Sequence, residues 1–304
     1  MMMKANNNEL GTDHDVRKWA NNMNKKRKKK ILSEISYIIV IIIGLLMIYP
    51  LIWMFFTSFK SNNEIFGSLK LLPESFSWQP YIEGWTSAGG ISYTKYYMNT
   101  FKLVIPTTLF TILSSTLVAY GFARFEFKGK KQLFAILIST LMLPNAVIII
   151  PRYTIFNKLK IIDTYWPFYL QAIFACYPFF TYMLIQFMRG LPRDLDESAY
   201  LDGCGTFRVL YNILLPLLKP AMFSAGLFQF LWTYNDYFNS LIYINTVKKF
   251  TVSLALRLSI DAETVVQWNK VMAMACVAVL PVVVLFFLAQ RYFIEGIATT
   301  GLKG

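Results

Sequence analysis

The chain contains few of the residues that carry enzymatic or metal chemistry. It has one histidine, His14, and three cysteines, Cys176, Cys204 and Cys276, whose spacing fits neither a disulfide framework nor a metal site. No stretch matches the Gly-x4-Gly-Lys-Ser/Thr loop that cradles nucleotide phosphates, and no His-Glu-x-x-His, Cys-x-x-Cys or nucleophile elbow occurs. We therefore expect no catalytic residue, no metal and no cofactor bound by this chain. The thiols are expected to be reduced and buried.

Charged residues are also scarce, and they are unevenly placed. Only 15% of the 304 residues are charged, while 56% are hydrophobic and 17% aromatic, a composition typical of a protein embedded in membrane lipid. Part of the net charge of +13 comes from six consecutive basic residues at 25–30, directly before the first long apolar run. Such a cluster holds a chain end on the cytoplasmic side of a membrane. No basic folded face is visible, so we expect no nucleic-acid partner.

The apolar runs predict an all-α integral membrane protein with six transmembrane helices. The first run has 22 residues, enough to cross a hydrocarbon core of about 30 Å. The third and fourth runs contain Pro144 and Pro178, which neighbouring helices can tolerate within a span. The predicted spans are residues 35–56, 100–122, 133–151, 166–187, 221–244 and 271–289.

The remaining segments follow from these spans. Residues 1–30 are predicted to be a disordered basic tail, and residues 31–304 a single six-span domain. With the amino terminus in the cytoplasm, the loop 188–220 and the tail 290–304 also lie in the cytoplasm. Residues 57–99 then form an outer loop, which is either a contact for a solute-binding protein or a plain connector.

The loop between the fourth and fifth predicted spans has the pattern of a short amphipathic helix. Carboxylates near its start, including Glu197, suit the positive amino-terminal end of a helix. Gly203 falls where the helix should end, because glycine readily takes the left-handed conformation found there. Leu195, Ala199 and Leu201 give the helix apolar surface, although a loop offers no lipid to bury it. We therefore expect the helix to dock into a partner.

The same loop carries a longer signature. Its spacing resembles that of permease subunits of binding-protein-dependent ABC importers, and serine at the second position is the only departure. The resemblance covers about residues 31–304 and implies the type I ABC importer permease fold, with a cytoplasmic coupling helix. The signature residues are Glu197, Ser198, Ala199, Gly203, Ile213, Leu215 and Pro216.

The resemblance also implies partners. They are a second homologous permease subunit in a heterodimer, two ATP-binding subunits that hold ATP and Mg, and an extracellular solute-binding lipoprotein. The assembly would lie in the plasma membrane of a bacterium. The residues predicted to couple to the ATPase are Glu197, Ser198, Ala199, Asp202, Gly203, Phe207, Leu215 and Pro216.

A polar stripe on the fifth predicted span is the candidate substrate pathway. It consists of Gln229, Trp232, Asp236 and Asn239, whose spacings of three, four and three place them on one helical face. Aromatic rings with amide and carboxylate groups suit sugars, whose CH faces stack while their hydroxyls hydrogen-bond. The alternative is that these groups join helices or meet interfacial water.

The last residues begin with a Gln-Arg-Tyr-Phe segment at 290–293 and run into a Gly- and Thr-rich end. Composition alone indicates a flexible terminus. The segment resembles the carbohydrate-uptake branch of these permeases, to which the second permease subunit of the maltose importer belongs. This resemblance implies that Thr300, Gly301 and Lys303 contact the ATPase.

Three functions remain open from the sequence. The favoured one is import of a sugar or oligosaccharide, driven by ATP hydrolysis in a partner chain. The second keeps this architecture but carries another small solute, such as a polyamine or phosphate. The third is a six-span channel or secondary carrier working alone, although the few acidic residues in the spans form no proton relay.

Overall fold

The computed structural model describes residues 9–86, 90–261 and 266–301, and their side chains over 28–86, 90–261 and 266–290. Within these ranges the chain is helical, apart from its loops and one isolated antiparallel bridge between Thr86 and Ser92. A π-helical turn at Leu210–Leu214 and a 3-10 turn at Val247–Lys249 supplement the α-helices. The α-helices are α1 Glu9–Thr57, α2 Asn62–Gly67, α3 Gln79–Gly84, α4 Tyr93–Arg124, α5 Lys130–Leu141, α6 Asn145–Lys158, α7 Trp166–Ile173, α8 Pro178–Arg189, α9 Asp194–Leu201, α10 Thr206–Val209, α11 Leu215–Tyr234, α12 Tyr237–Tyr243, α13 Val252–Asp261 and α14 Trp268–Gly301.

The helices include enough apolar segments to cross a membrane several times. Among the described residues, five segments are long and apolar enough, and a sixth crossing exists if α5 and α6 form one bent span. The predicted all-α, multi-span architecture is therefore confirmed. The five segments are Lys28–Thr57, Tyr93–Arg124, Trp166–Arg189, Thr206–Tyr234 and Trp268–Gln290.

The third and fourth spans are broken, where the sequence predicted continuous helices. Helices α5 and α6 meet at 107° across residues 142–144, and α7 and α8 are separated by residues 174–177. Each break contains or precedes a proline, Pro144 or Pro178, which lacks an amide donor and disfavours helical conformation in the residue before it. Cys176 lies in the second break and is exposed, and Cys204 and Cys276 are only half-buried, so the expectation of buried thiols is wrong.

The fifth span begins earlier than predicted and ends earlier too. Its helix runs without interruption from Thr206 to Tyr234, so the loop before it covers only residues 190–205 instead of 188–220. Pro216 fits inside the helix because a π-helical turn precedes it. The Leu215 amide bonds to the carbonyl of Leu210, five residues back, which widens the turn that the proline ring would otherwise crowd.

The amino-terminal segment also differs from its prediction. Helix α1 begins at Glu9, within the stretch 1–30 that was predicted to be disordered. Lysine and arginine are good helix formers, and a helix extends at the gain of one hydrogen bond per residue once a nucleus exists. The apolar span that follows supplies that nucleus.

Helix α4 lies at the centre of the bundle, in contact with α7, α8 and α11. Its buried threonines Thr100, Thr107 and Thr111 donate hydrogen bonds to the carbonyls four residues earlier, at 2.7 to 2.9 Å. Gly226 of α11 allows a close approach to α4, because a Cβ atom there would lie 2.8 Å from Cδ1 of Ile112. The backbone of the fifth span therefore packs directly against a side chain of the second span.

Buried apolar clusters close both ends of the bundle. The end that carries residues 190–205, which we call the motif end, has a cluster of residues from α4, α8, the π-helical turn and α11 that includes Leu184, Leu214 and Leu218. The opposite end, which we call the far end, has two clusters rich in tyrosine, with Tyr93 and Tyr243 fully buried. The loops at each end are thus anchored to the spans.

One carboxylate joins two loops at the far end. Asp163, between α6 and α7, accepts hydrogen bonds from the backbone amides of Asn245 and Thr246 at 2.9 Å and from Lys249 Nζ at 2.7 Å. Partial burial alone would raise the pKa of the Asp163 carboxyl. The hydrogen bonds from Lys249, Thr246 and the two amides outweigh burial and hold that pKa well below its usual range.

Replacing Asp163 with asparagine should therefore destabilise the protein in a pH-dependent way. Because the folded pKa is depressed, the carboxylate stabilises fully above its unfolded pKa of about 3.9 and loses this effect as the pH falls further. At pH 7 we expect Asp163→Asn to lower stability by about 2 kcal/mol, or about 4–8 °C in Tm. Thermal unfolding of the detergent-solubilised protein at pH 7 and at about pH 2, well below the unfolded pKa, measures this.

Asp261→Asn is the matched control. Asp261 pairs with Arg257 at 2.8 Å, but both side chains are more than half exposed, so its loss should change Tm little. Equal Tm losses for the two variants, or a loss for Asp163→Asn that does not shrink in acid, would contradict the role given to Asp163.

Candidate functional site

Helix α9 is defined at both ends by its sequence. Its first turn holds Asp194, Asp196 and Glu197, whose charges suit the positive end of the helix dipole. It ends in a Schellman motif: the Gly203 amide bonds to the Tyr200 carbonyl and the next amide to the carbonyl of residue 199. Gly203 has φ +79°, the left-handed conformation that the sequence predicted for it.

The two faces of α9 have different surroundings. Ala199 and Asp196 are buried against the bundle, while Glu197, Ser198 and Asp202 are exposed. Two large apolar side chains at or just after the helix end are also exposed, Leu201 at 89% and Phe207 at 78%. Exposed apolar groups of this size at the motif end, beside the charged side chains of α9, indicate a surface that a partner covers.

A buried ion pair attaches the inner face of α9 to the spans. Nε of Arg124, the last residue of α4, lies 2.8 Å from Oδ2 of Asp196, and only 6% and 11% of the two side chains are exposed. Nη1 and Nη2 of Arg124 both donate to the Leu191 carbonyl, just beyond α8, at 3.3 Å. One guanidinium therefore joins the second span, the fourth span and α9.

Because both side chains are buried, each of the two charges depends on the presence of the other. Burial raises the pKa of the Asp196 carboxyl, and the charges of Arg124 and Arg193 oppose that rise. Oδ1 of Asp196 has no hydrogen-bond partner among the residues that the structure describes, and Nε–H of Arg124 is not aligned for a hydrogen bond. The contact is thus held mainly by charge, and removing either side chain leaves the other buried without a counter-ion.

Sequence reasoning named Asp196 only among the carboxylates of α9 and did not single out Arg124. A basic residue in the last turn of a helix is a common feature, so Arg124 carried no specific signal. Leu215 and Pro216, predicted to couple from a loop, lie instead within the fifth span, where Leu215 is half-buried and Pro216 exposed.

The four predicted pathway residues do not share one helical face. Helix α11 ends at Tyr234, and Asp236 is the N-cap of α12, with Oδ1 accepting from the Asn239 amide at 3.0 Å and Oδ2 from its Nδ2 at 2.7 Å. Trp232, Asp236 and Asn239 nevertheless line one cavity of about 780 Å³. Gln229 does not line it; its side chain is buried and donates to Thr233 Oγ1 at 2.7 Å.

The predicted ATPase contacts at the carboxyl terminus and the possibility of a metal site remain to be considered. Lys303 and the side chain of Thr300 lie outside the described residues, and Gly301 is described only as the last residue of α14, so the contact of these three residues with an ATPase stays a prediction. Within the described ranges, no group of three or more His, Cys, Asp or Glu side chains could hold a metal ion.

Comparison with known proteins places this geometry in context. Residues 111–299 match the family described as binding-protein-dependent transport system inner membrane component. The chain is 32% identical over 281 residues to the probable ABC transporter permease protein YurM of Bacillus subtilis (strain 168), covering 92% of each protein. It is 28% identical over 279 residues to the galactooligosaccharides transport system permease protein GanQ of the same organism, covering 92% of this chain and 98% of that protein.

A solved structure has the same fold. The chain matches, with a TM-score of 0.77, a chain in the crystal structure of a bacterial ABC transporter involved in the import of the acidic polysaccharide alginate. The two are 19% identical, and the match covers 88% of this chain and 98% of that one. The predicted importer-permease fold is thereby confirmed.

The Arg124–Asp196 pair leads to a prediction about stability. Arg124→Gln or Asp196→Asn alone should each cost about 3 kcal/mol, or about 6–12 °C in Tm, because one charge stays buried and unpaired. The double variant should lose less than the sum of the two, with a coupling of about 1–3 kcal/mol. Thermal unfolding of the four proteins in detergent gives this double-mutant cycle.

Asp194→Asn serves as the control, since Asp194 lies on the same helix but is exposed. It should leave Tm unchanged within about 1 °C, as surface substitutions usually do. Strictly additive losses in the double variant would show that the two side chains do not depend on each other.

Proposed function

Because the chain belongs to the family of binding-protein-dependent transport system inner membrane components, we propose that it is one permease half of an ATP-driven importer for oligosaccharides. The observation that carries the proposal is helix α9, with its glycine stop, its exposed Leu201 and Phe207, and its buried attachment to Arg124. One face of this short helix is fixed to the spans, and the other face is exposed and can bind an ATP-binding subunit.

Power comes from a partner, since the chain has no phosphate-binding loop of its own. Two ATP-binding subunits hold ATP and Mg and receive α9 through Glu197, Ser198 and Asp202, all exposed, together with Leu201 and Phe207. A second permease subunit completes the pathway. A solute-binding lipoprotein delivers the cargo, in keeping with the family description.

The six basic residues before the first span set the orientation. They place the amino terminus in the bacterial cytoplasm, so that six crossings put the motif end and the carboxyl terminus there as well. The far end, with residues 57–86, 90–92 and 235–251, then faces outward, where the binding protein docks.

The coupling step follows from the contacts of Arg124. Closure of the ATPase dimer pulls α9, and the buried guanidinium carries the displacement to the ends of α4 and α8. Because the cluster around these ends is close-packed, it shifts between discrete arrangements instead of deforming gradually. The spans thereby change from an inward- to an outward-facing arrangement.

The cargo proposal draws on the relatives, of which GanQ is named for galactooligosaccharides. The test is to purify the tagged chain from its native membrane in mild detergent, identify its companions, and measure uptake of galactotriose, maltotriose and spermidine by cells with and without the gene. Companion ATPase and permease chains, with sugar uptake that depends on the gene, are expected. A chain that emerges alone and transports without ATP would overturn the proposal.

The left-handed conformation of Gly203 gives the first prediction on transport. Gly203→Val should reduce ATP-dependent uptake at least about tenfold, because a β-branched residue at positive φ costs more than about 1–2 kcal/mol and the helix end must rearrange. The amount of protein in the membrane should stay within about twofold of wild type, since a Cβ atom at this position meets nothing within 4 Å. Uptake is normalised to immunoblotted protein.

Gly205→Val is the matched control, made two residues further along. Gly205 has φ −75° and ψ 162°, which valine adopts readily, and its Cβ would also be in open space. Normal uptake by Gly203→Val, or an equal loss in both variants, would refute the role of the helix stop.

The exposed apolar residues give a second prediction. Leu201→Asp and Phe207→Asp should each reduce the amount of ATPase subunit that co-purifies by about thirtyfold, as loss of an interface anchor of about 2 kcal/mol would. Leu69→Asp is the control, because Leu69 is fully exposed but lies in the loop at the far end. Undiminished co-purification with both motif-end variants would remove these residues from the ATPase contact.

A further inference from the structure

Three interruptions of the helices converge on one cavity. The cavity of about 780 Å³ is lined at the break of the third span, at the break of the fourth span, and where the fifth span gives way to α12. Helices α5 and α8, which lead to the first two breaks from the motif end, have 12 residues each and are thus about 18 Å long. The two breaks therefore lie at similar depth. The lining residues at the breaks are Leu141, Leu143, Asn145, Ala175, Cys176, Tyr177 and Asp236.

A break in a membrane-spanning helix leaves backbone groups without their helical hydrogen bonds. Non-helical backbone is tolerated there only where protein buries it or where it lines a polar cavity, because lipid offers no hydrogen bonds. Here Ala175 has φ +53°, a conformation that L-residues rarely adopt. Backbone strain of this kind is concentrated at functional sites, and discontinuous helices are how many transporters build substrate sites.

An aromatic wall lies on one side of the cavity. The Trp232 ring is held between Phe179 and Phe180, with centroids 5.1 and 5.0 Å away, yet half of the side chain remains exposed. Trp232 and Phe179 both line the cavity, as does Tyr177. A fixed indole with free surface suits the apolar face of a ligand that also carries polar groups.

Polar groups of both kinds face the same space. Arg152 forms no ion pair with any carboxylate in the part of the chain that the structure describes. Its Nη1 is 3.5 Å from Asn145 Oδ1 and its side chain also interacts with the Tyr243 hydroxyl, which leaves some of its five donors for a ligand. The Asp236 carboxyl group is held in place by Asn239, whose own Oδ1 is buried and has no hydrogen-bond partner among the described residues. Gln171 adds a buried amide.

Charge distinguishes the ligand classes. The cavity lining carries one guanidinium, Arg152, and one carboxyl group, Asp236, so it offers neither the several carboxylates that would select a polyamine nor the several cations that would select phosphate. A neutral polyol meets neither group as a like charge, and each of its hydroxyls can accept from Arg152 and donate to Asp236. The volume lies within the range of small-ligand sites, about 300–1,000 Å³.

We propose that this cavity is a saccharide subsite contributed by this chain, in which a pyranose ring stacks on Trp232 and hydrogen-bonds to Arg152, Asp236 and Asn239. This rests on the proposed importer function and assigns the sugar contacts to named residues of this chain. The breaks in the third and fourth spans form the side of the cavity through which the sugar enters.

The first test needs no substitution, because Cys176 is exposed and lines the cavity. Native membranes are treated with a maleimide with and without saturating maltotriose or galactotriose, and labelling of each cysteine is read by mass spectrometry. The sugar that the cells take up should slow labelling of Cys176 at least about threefold, while Cys204, outside the cavity, labels at an unchanged rate. Unchanged labelling of Cys176 in the presence of a transported sugar would overturn the subsite.

The second test is kinetic. In uptake assays, Trp232→Ala and Arg152→Gln should raise KM for the sugar about tenfold, while Trp232→Phe, which keeps a ring, should raise it less than about threefold. Asn235→Ala is the control, because the Asn235 side chain is exposed, donates to the Leu231 carbonyl on its own helix and does not line the cavity. Unchanged KM in both cavity variants would also overturn the subsite. If wild-type cells take up neither sugar, the proposed function itself fails, and the subsite with it.

Discussion

The guanidinium of Arg124 is the contact on which the working geometry of this protein depends. It is buried, so it needs its counter-ion Asp196, and it also binds the Leu191 carbonyl at the end of the fourth span. A buried charge that loses its partner is penalised by several kcal/mol, so α9 cannot drift away from the spans while the fold persists. The charge thus converts a short surface helix into a rigid extension of the bundle.

Helix α8 connects the two sites of the protein. It begins at Pro178, which lines the cavity, and ends at Arg189, two residues before the carbonyl that Arg124 binds. A single straight element of about 18 Å therefore has one end in the cavity and the other at α9. A displacement of α9 can therefore reach the cavity wall through this one rigid helix. Movement of α9 and binding in the cavity need no other structural connection.

The sequence predicted the parts of this arrangement that local chemistry dictates. Gly203 ends α9 because glycine alone takes the required conformation without strain, and the 197–216 signature pointed correctly to the family. The predicted spans found the apolar centres of the helices but misplaced their ends, since hydropathy reports burial and not backbone hydrogen bonding. Pro144 and Pro178 marked the breaks, yet a proline inside an apolar run fits a continuous helix equally well.

Tertiary contacts were out of reach of that reasoning. Arg124 and Asp196 are more than seventy residues apart in the sequence, and only packing of α4 against α8 brings them together. Gln229 was assigned to a polar stripe because the stripe assumed one helix through Asp236. The helix ends at Tyr234, so Gln229 turns into the bundle while Asp236 belongs to the next element.

The threonines of α4 have a consequence for the order in which the protein is made. The neighbours of α4 in the bundle, α7, α8 and α11, all follow it in the chain, so α4 enters the bilayer before any of them exists. Thr107 and Thr111 are buried in the finished bundle, yet their hydroxyls bond to carbonyls of α4 itself. The helix can therefore wait in lipid during synthesis with these polar groups already satisfied, and it exchanges lipid for protein neighbours without breaking those bonds.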